Sequence, residues 1–409
     1  MSAGPGSLCV AASPTGTGAA LGGMLALAAG MGIGRFVYTP ILPDMAAALG
    51  LSKSAAGLIA SANFLGYLAG ALLAAAPYLP GGRRAWFLGG LAASAATTAA
   101  MALPDGMLPF LLLRFVGGLA SAFVLVLGST LVLDRLAMLH RPGRAALHFA
   151  GVGVGIAASS ILVDALRASG ADWRSLWLAS GVVSVLAVPL AAWLVPDAVD
   201  APASRATAGR AMSAPAEHAP ERLPRGLGAL TLCHGLFGFG YVVTATFLVA
   251  VVRAAPQAHA LEAVVWLVVG LAAAPSTAAW GRVAARTGPL RAYALACLLE
   301  AVGVAAGGLW STPAAALLAA VLLGGTFMGI TALGFTASRA LGPRQQRRSF
   351  ALITAGFGLG QIAGPIVAGV LLDRTHGFAA PSLVAASAVA IAAVIAMRMG
   401  RVRAVAAFG

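Results

Sequence analysis

Charge is what this sequence has least of. Only 9% of its 409 residues are Asp, Glu, Lys or Arg, and 60% are hydrophobic. A soluble domain carries about 25% charged residues, and a soluble fold of this length has no way to hide so much apolar surface. Lipid must be the solvent for most of the chain. Acids are scarcer than bases, 12 against 26. His148, His234 and Glu300 lie far apart in the sequence, so no cluster of acids, bases and nucleophiles suggests an enzyme. The three cysteines, Cys9, Cys233 and Cys297, are widely spaced. They offer neither metal-ligand spacing nor a disulfide framework, and no metal or cofactor is expected. The net charge of +14 is spread over short loops rather than gathered on one face, which argues against nucleic acid. The first 18 residues contain no Lys or Arg, so they lack the basic n-region of a signal peptide and read as a short disordered tail. A ring of polar groups expected of a channel is missing, as is the added soluble domain expected of a receptor.

What the sequence does have is long apolar runs. A membrane-spanning helix needs roughly 20 apolar residues. Twelve such runs are expected at about 19–45, 54–79, 85–103, 108–133, 146–168, 174–195, 227–252, 262–284, 289–310, 314–338, 349–372 and 381–399. This predicts an all-α membrane protein with six-helix bundles over 19–195 and 226–400. Residues 196–225, rich in Pro, Ala and charge, read as a cytoplasmic linker, and 401–409 as a cytoplasmic tail. With both termini inside, 19 of the 26 basic residues fall on the cytoplasmic side, five outside (Lys53, Arg167, Arg174, Arg253 and Arg374) and two within helices. Short cytoplasmic loops carry the excess of Lys and Arg. The bias therefore supports an even number of spans, with the protein in a bacterial inner membrane. All seven tryptophans fall near expected helix ends, as indoles at a headgroup layer would.

The halves repeat. AGVGVG at 150–155 returns as AGFGLG at 355–360; Gly32 and Gly34 return as Gly238 and Gly240; Gly117-Gly118 returns as Gly324-Gly325. Six helices per repeat preserve direction, so the halves are parallel repeats, as in major facilitator transporters. The GVGVG string lies inside an apolar helix with no strand before it, so it is not a nucleotide loop.

The segment GMGIGRFVYTPILPDM at 30–45 resembles the first-helix signature of the YbfB/YjiJ-type branch of the major facilitator superfamily. LLLRFVGGLASAFVLV, HFAGVGVGIA, DWRSLW and GFGYVVTATFL extend the resemblance over nearly the whole chain. It implies a twelve-helix transporter with helices 1, 4, 7 and 10 around a central cavity. The superfamily's loop motif after helix 2 is reduced to PGGRR at 80–84, and its counterpart at 281–288, GRVAARTG, has Ala285 where an Asp is expected. Helix 5 lacks the proline of the antiporter motif; a similar pattern, Gly360-x-x-x-Gly364-Pro365, lies on helix 11.

Polar residues inside these helices are the site candidates. Arg35 is flanked by apolar residues. A charge near the bilayer centre costs at least about 2.5–3.5 kcal/mol, so Arg35 is expected to face a cavity or a partner. A guanidinium grips carboxylate or phosphate with a bidentate fork, and a snorkelling or carbonyl-bound structural Arg is the alternative. Tyr38 and Thr39 share its helix face. Pro40 removes an amide and is expected to free the carbonyl of Phe36. Arg114 with Gly118 matches the superfamily's Arg-x-x-x-Gly motif, whose Arg the resemblance links to proton coupling. Two neighbouring arginines call for an acid or an anionic substrate between them. Glu300, mid-helix, is the candidate proton carrier, whereas Asp44 and Asp164 lie near helix ends. Asn63, Tyr241, Gln361 and His234 are isolated polar groups in apolar runs.

Small-residue stripes are expected to carry close helix packing. They are Ala62, Gly66, Gly70 and Ala74; Gly356, Gly360, Gly364 and Ala368; Gly151, Gly155 and Ser159; and Gly270, Ala274 and Ala278. In the implied fold helix 2 meets helix 11 and helix 5 meets helix 8, and the stripes are expected to form those contacts between halves. The functional expectation is a monomeric secondary transporter moving a small organic solute, anionic and proton-linked, by alternating access. Proton-driven export of apolar or drug-like compounds is the alternative.

Overall fold

The computed structural model describes residues 15–75, 80, 82–197, 224–341 and 345–408. Twelve helical spans cover them, labelled in chain order. Span α1 is built from Gly16–Leu27, a π-helical turn Ala28–Ile33 and Tyr38–Leu49; α2 is Lys53–Ala74, α3 Arg83–Ala100, α4 Met107–Met138 and α5 Ala145–Ala168. Span α6 is Trp173–Val185 continued by Ala187–Leu194. After residues 198–223, which lie outside the described part and include most of the expected linker, come α7 Leu227–Ala254, α8 Glu262–Thr287, α9 Pro289–Leu309, α10 Pro313–Leu341, α11 Gln346–Thr375 and α12 Ala379–Phe408. The first helix starts at Gly16, inside the expected tail, and the last continues through the expected C-terminal tail to Phe408.

Eleven of the twelve spans are long and apolar enough to cross a bilayer. The exception is α3, whose 18 residues open on Arg83-Arg84 and include Ser94, Thr97 and Thr98. Its threonines return their hydroxyls to carbonyls one turn back, Thr97 to Ala93 and Thr98 to Ser94, so they cost little in an apolar surround. Large apolar side chains cover the outer surface: Leu186, Leu271 and Leu359 are each more than 60% exposed. That is the surface of a protein solvated by lipid. Helix starts at the loops follow ordinary capping chemistry. Ser52 accepts from the Ala55 amide, and Asp172 accepts from the Ser175 amide at 2.9 Å. The hydrogen bonds from Ser175 hold the Asp172 carboxyl below the usual carboxylate range.

The repeat seen in the sequence is present in the packing. A Cβ at Gly118 on α4 would strike the carbonyl of Asn63 on α2; a Cβ at Gly324 on α10 would strike the carbonyl of Val269 on α8. Each member of the second pair lies 206 residues after its counterpart.

The halves meet along two seams, α2 against α11 and α5 against α8, as the resemblance implied. The stripes that form these seams are only partly the expected ones. Gly270 of α8 does approach α5, where its added Cβ would meet the backbone of Gly153 and Ala157. The face of α5 there is Gly153 and Ala157, however, while Gly151 and Gly155 pack on the backbone of α1. Gly66 and Gly70 of α2 face α4, and Gly356, Gly360 and Gly364 of α11 face α7. The α2–α11 seam instead uses Gly57 against Pro365, Leu68 against Gly358, and a hydrogen bond from Ser61 to the carbonyl of Ile362 at 2.8 Å.

The tryptophans also differ from the expectation. Trp193 and Trp310 are exposed near helix ends, but Trp173, Trp177, Trp266 and Trp280 are buried core residues.

Candidate functional site

The break in α1 sets up the centre of the molecule. In the π turn the Gly34 amide reaches back to the carbonyl of Ala29 at 2.8 Å. Pro40 brings no amide, and the Thr39 amide bonds the carbonyl of Phe36 at 3.2 Å. Phe36 is therefore not the residue left unserved. The Arg35 carbonyl loses its usual partner, the amide four residues on. Arg114 of α4 supplies the missing donors: its Nη1 bonds the carbonyl of Gly34 at 3.3 Å and its Nη2 that of Arg35 at 3.2 Å. Its guanidinium carbon lies 5.0 Å from the ring centroid of Tyr38. Among the described residues no acid sits between Arg35 and Arg114; backbone oxygens take that place.

Arg35 is arranged differently. It is 3% exposed, yet its Nε and Nη2 have no hydrogen-bond partner. These two nitrogens form one edge of the guanidinium, the side-on fork that receives a carboxylate with two parallel bonds. Rings lie close to the group: its Cζ is 4.1 Å from the centroid of Tyr67 and 4.6 Å from that of Phe64, both on α2. Cation–π contact of this kind holds a desolvated cation in place without neutralising it.

Rings continue from there into the second half. Phe36 packs edge-on against Phe327 of α10 at 5.9 Å. Phe327 lies 5.8 Å from Tyr241 of α7 with planes 8° apart, and Phe357 of α11 lies 5.9 Å from Tyr241 with planes 5° apart. The Gln361 amide nitrogen bonds the Tyr241 hydroxyl, and the Gln361 Oε1 is left without a partner although the residue is fully buried. Arg35, Tyr241 and Gln361 therefore belong to one aromatic-walled centre shared by α1, α2, α7, α10 and α11.

The remaining polar residues are engaged elsewhere. The Tyr38 hydroxyl donates to the carbonyl of Ala56 at 2.8 Å, and the Thr39 hydroxyl donates to that of Ala245 on α7. The Asn63 amide donates to the carbonyl of Arg114 at 2.9 Å. His234 shares a 3.2 Å contact with the Tyr293 hydroxyl on α9. Glu300, fully buried on α9, is hydrogen-bonded to the Thr326 hydroxyl on α10, and its Oε1 has no partner. Thr326 also bonds the carbonyl of Leu322 at 2.6 Å. Sequence reading did not single out Phe64, Tyr67, Phe327 and Phe357. One signal was available: Arg35 and Tyr241 are 206 residues apart, the same repeat position in the two halves.

The face away from the termini is closed by charge. Arg167 at the end of α5 pairs with Asp44 of α1 at 2.8 Å, with Asp164 at 3.0 Å and with Glu262 of α8 at 3.4 Å. Arg253 at the end of α7 pairs with Asp44 at 2.8 Å and with Glu262. On the other seam, the carboxylate of Asp373 on α11 accepts from the amides of Lys53 and Ser54, 2.9 Å each, at the start of α2. On the terminus face the α5–α8 seam opens into a cavity of about 490 Å³ whose wall includes Phe149, Ala278, Gly281, Leu333 and Thr336.

A family model described as "Uncharacterised MFS-type transporter YbfB" matches residues 27–397. The chain belongs to the YbfB-type family of major facilitator transporters. A chloramphenicol resistance protein of Streptomyces lividans is 31% identical over 373 residues, 90% of this chain and 92% of that protein. Among solved structures, a point mutant of the nucleoside transporter NupG superposes with a TM-score of 0.69 at 14% identity, covering 94% of this chain and 99% of that one. A bacterial homologue of the human lysosomal transporter Spinster, inward-facing and unoccupied, gives 0.68 at 15% identity, covering 94% and 97%. These likenesses show the fold. The chain is a multi-pass membrane transporter and not an enzyme.

Proposed function

We propose that this transporter carries a small organic anion through the membrane by alternating access, with Arg35 as the anchor of the anion. The observation that carries this reading is the unpartnered fork of Arg35, buried at the meeting of the two halves. A desolvated cation with two free donors on one edge is what an anionic group requires of its site. Tyr241 and Gln361 sit across from it in the second half, so a bound solute touches both bundles and is positioned to respond to their rocking. Tyr38, Thr39 and Asn63 support the site through the backbone bonds they make.

The arrangement matches a state closed on the far face by ion pairs and open on the terminus face. With both termini cytoplasmic, as the distribution of basic residues favours, that state is inward-facing in a bacterial inner membrane. Glu300 is proposed as the proton carrier: it is fully buried with one carboxyl oxygen unpartnered, and through Thr326 it abuts Phe327 of the aromatic centre. Arg114 acts on coupling by holding α1 in its broken form. The chain is proposed to work as a monomer.

Purified protein in liposomes, loaded and assayed with a panel of organic anions under an imposed pH gradient, tests the reading. Arg35→Gln should abolish saturable anion flux while the protein stays folded; anion flux that survives this change would refute the anchor role. A second reading, export of uncharged drug-like compounds, is favoured by the relative named as a chloramphenicol resistance protein and by the aromatic walls. On that reading Arg35→Gln leaves transport of chloramphenicol unchanged.

A further inference from the structure

We infer that the cavity on the terminus face of the α5–α8 seam is a binding site for an anionic phospholipid of that leaflet, with the phosphate at a basic rim and a chain against an apolar wall. The site is separate from the central one. Its wall is drawn from α5, α8, the start of α9 and α10, and Arg35, Tyr241 and Gln361 take no part in it.

The rim is basic and uncompensated. The charged residues at this end of α5, α8, α9 and α10 are all arginines: Arg144, Arg282, Arg286, Arg291 and Arg339. Between Glu262 and Glu300 the sequence has no acid, and Ala285, itself part of the wall, stands where the superfamily's loop motif calls for Asp. Arg144 bonds the Thr17 hydroxyl, and Arg339 lies over the ring of Phe350. Arg282, Arg286 and Arg291 are exposed and make no side-chain hydrogen bond or ion pair among the described residues. Arg282 and Arg286 are one turn apart on α8 and directly follow the wall residues Gly281 and Ala285. Basic pockets between membrane helices on the cytoplasmic side receive anionic lipid headgroups.

The wall has the opposite character. Phe149, Ala278 and Leu333 line it, and no charged residue does. Of its two threonines, Thr336 returns its hydroxyl to the carbonyl of Ala332 at 2.9 Å, and the Thr277 hydroxyl is buried away from the space. A Cβ added at Gly281 meets nothing within 4 Å. The volume of about 490 Å³ falls in the range of about 300–1,000 Å³ usual for ligand sites. A soluble anion would shed water here without donors to replace it, and a neutral apolar molecule would leave the arginines unanswered. An anionic phospholipid satisfies both parts. It is also at hand, since α8 borders the bilayer, with Leu271 61% exposed.

The wall spans both halves: Phe149 belongs to the first, and Ala278, Gly281 and Leu333 to the second. A lipid seated there touches both bundles. It favours the spacing of α5 and α8 seen here over any that closes this face. The lipid is thus a regulator of the cycle rather than its cargo.

The probes are dioleoyl phosphatidylglycerol, phosphatidylcholine with the same chains, and glycerol 3-phosphate, added to the full chain in detergent. Lipid adducts are counted by native mass spectrometry, and thermal melting is followed alongside. The variants are Arg282→Gln with Arg286→Gln, Gly281→Leu to fill the cavity, and Arg398→Gln with Arg401→Gln on α12 as a control of equal charge. Monodispersity checks the fold of each. Wild type and the α12 control should retain phosphatidylglycerol over phosphatidylcholine by about tenfold and melt higher with it. The Arg282 and Arg286 double variant should bring the ratio near one, and Gly281→Leu should lower phosphatidylglycerol binding several-fold. Equal retention of the two lipids by wild type would overturn the inference. So would a preference lost as fully in the α12 control as in the double variant. Stabilisation by glycerol 3-phosphate equal to that by phosphatidylglycerol would assign the rim to a soluble anion and overturn the lipid.

Discussion

The hydroxyl of Thr39 donates to the carbonyl of Ala245, the residue that occupies the same place in the second half, 206 positions on. Two equivalent points of a repeat can touch only where the pseudo-symmetry axis passes between them. The bond therefore marks that axis, and it joins the halves at their midline on the closed side of the centre.

Thr39→Val removes the bond with almost no change in volume. The expected cost is about 1 kcal/mol in the closed state, read as a lower melting temperature in detergent and a shift toward the state open on the far face. The KM for the solute should stay within about twofold, because the hydroxyl serves the interface. A large KM change at constant stability would assign Thr39 to the solute instead.

Arg35 and Arg114 should separate when each is removed. Arg114→Leu leaves the carbonyls of Gly34 and Arg35 without donors and is expected to destabilise the protein by about 3 kcal/mol or more, since each buried carbonyl left unserved costs about 1–3 kcal/mol. Arg114→Lys, which lacks the planar fork, should recover only part of this. Arg35→Gln removes a cation that bonds no backbone carbonyl, so melting temperature should hold or rise while transport fails. Thermal melts of the three variants side by side give the answer; equal destabilisation by Arg35→Gln and Arg114→Leu would remove the distinction.

The cluster at the far face holds three acids, Asp44, Asp164 and Glu262, around two arginines, Arg167 and Arg253. Glu262→Gln weakens its contact with Arg167 across the α5–α8 seam and its contact with Arg253 of α7. With Ala46→Cys as the reporter thiol in a background whose Cys9, Cys233 and Cys297 are replaced by Ser, modification by a membrane-impermeant reagent from the far side should speed up several-fold. High salt should do the same in the protein that keeps Glu262, because partly exposed pairs are screened. Unchanged labelling in both tests would mean that the ion pairs do not hold this face shut.

Glu300→Gln keeps a hydrogen-bonding partner for Thr326 but has no proton to give up. Exchange of solute for solute should continue near the parent rate, while accumulation driven by a pH gradient disappears. Gradient-driven accumulation that persists in this variant would move proton carriage to another group.

Much of the fold was legible because lipid makes a strong demand on sequence: an apolar run of fixed length is hard to mistake, and a glycine pair such as Gly117-Gly118 returning as Gly324-Gly325 is visible without coordinates. The span α3 is the least marked of the twelve, since its own composition is weak. The stripes were read correctly as close contacts, and that of α8 does meet α5, but those of α2, α5 and α11 were assigned to the wrong neighbours. Spacing of four says that a backbone approaches, and on α2 the sets Gly66–Gly70 and Gly57–Ser61 point to different helices. In the site, Arg35 was conspicuous because its charge is costly in an apolar run, whereas Phe64, Tyr67, Phe327 and Phe357 look like any core residue until the fold gathers them. The role of Arg114 was hidden for a different reason: its partners are backbone oxygens freed by an irregular turn, and no side chain announces them.

The two seams are fastened by different chemistry, and this makes the transporter lopsided. Where α11 meets α2, one carboxylate, Asp373, grips two backbone amides at a helix start, a short-range bond that tolerates little sliding. Where α8 meets α5, long flexible side chains hold the latch, and the opposite end of the same seam already gapes. The first seam has the makings of a hinge and the second of a door.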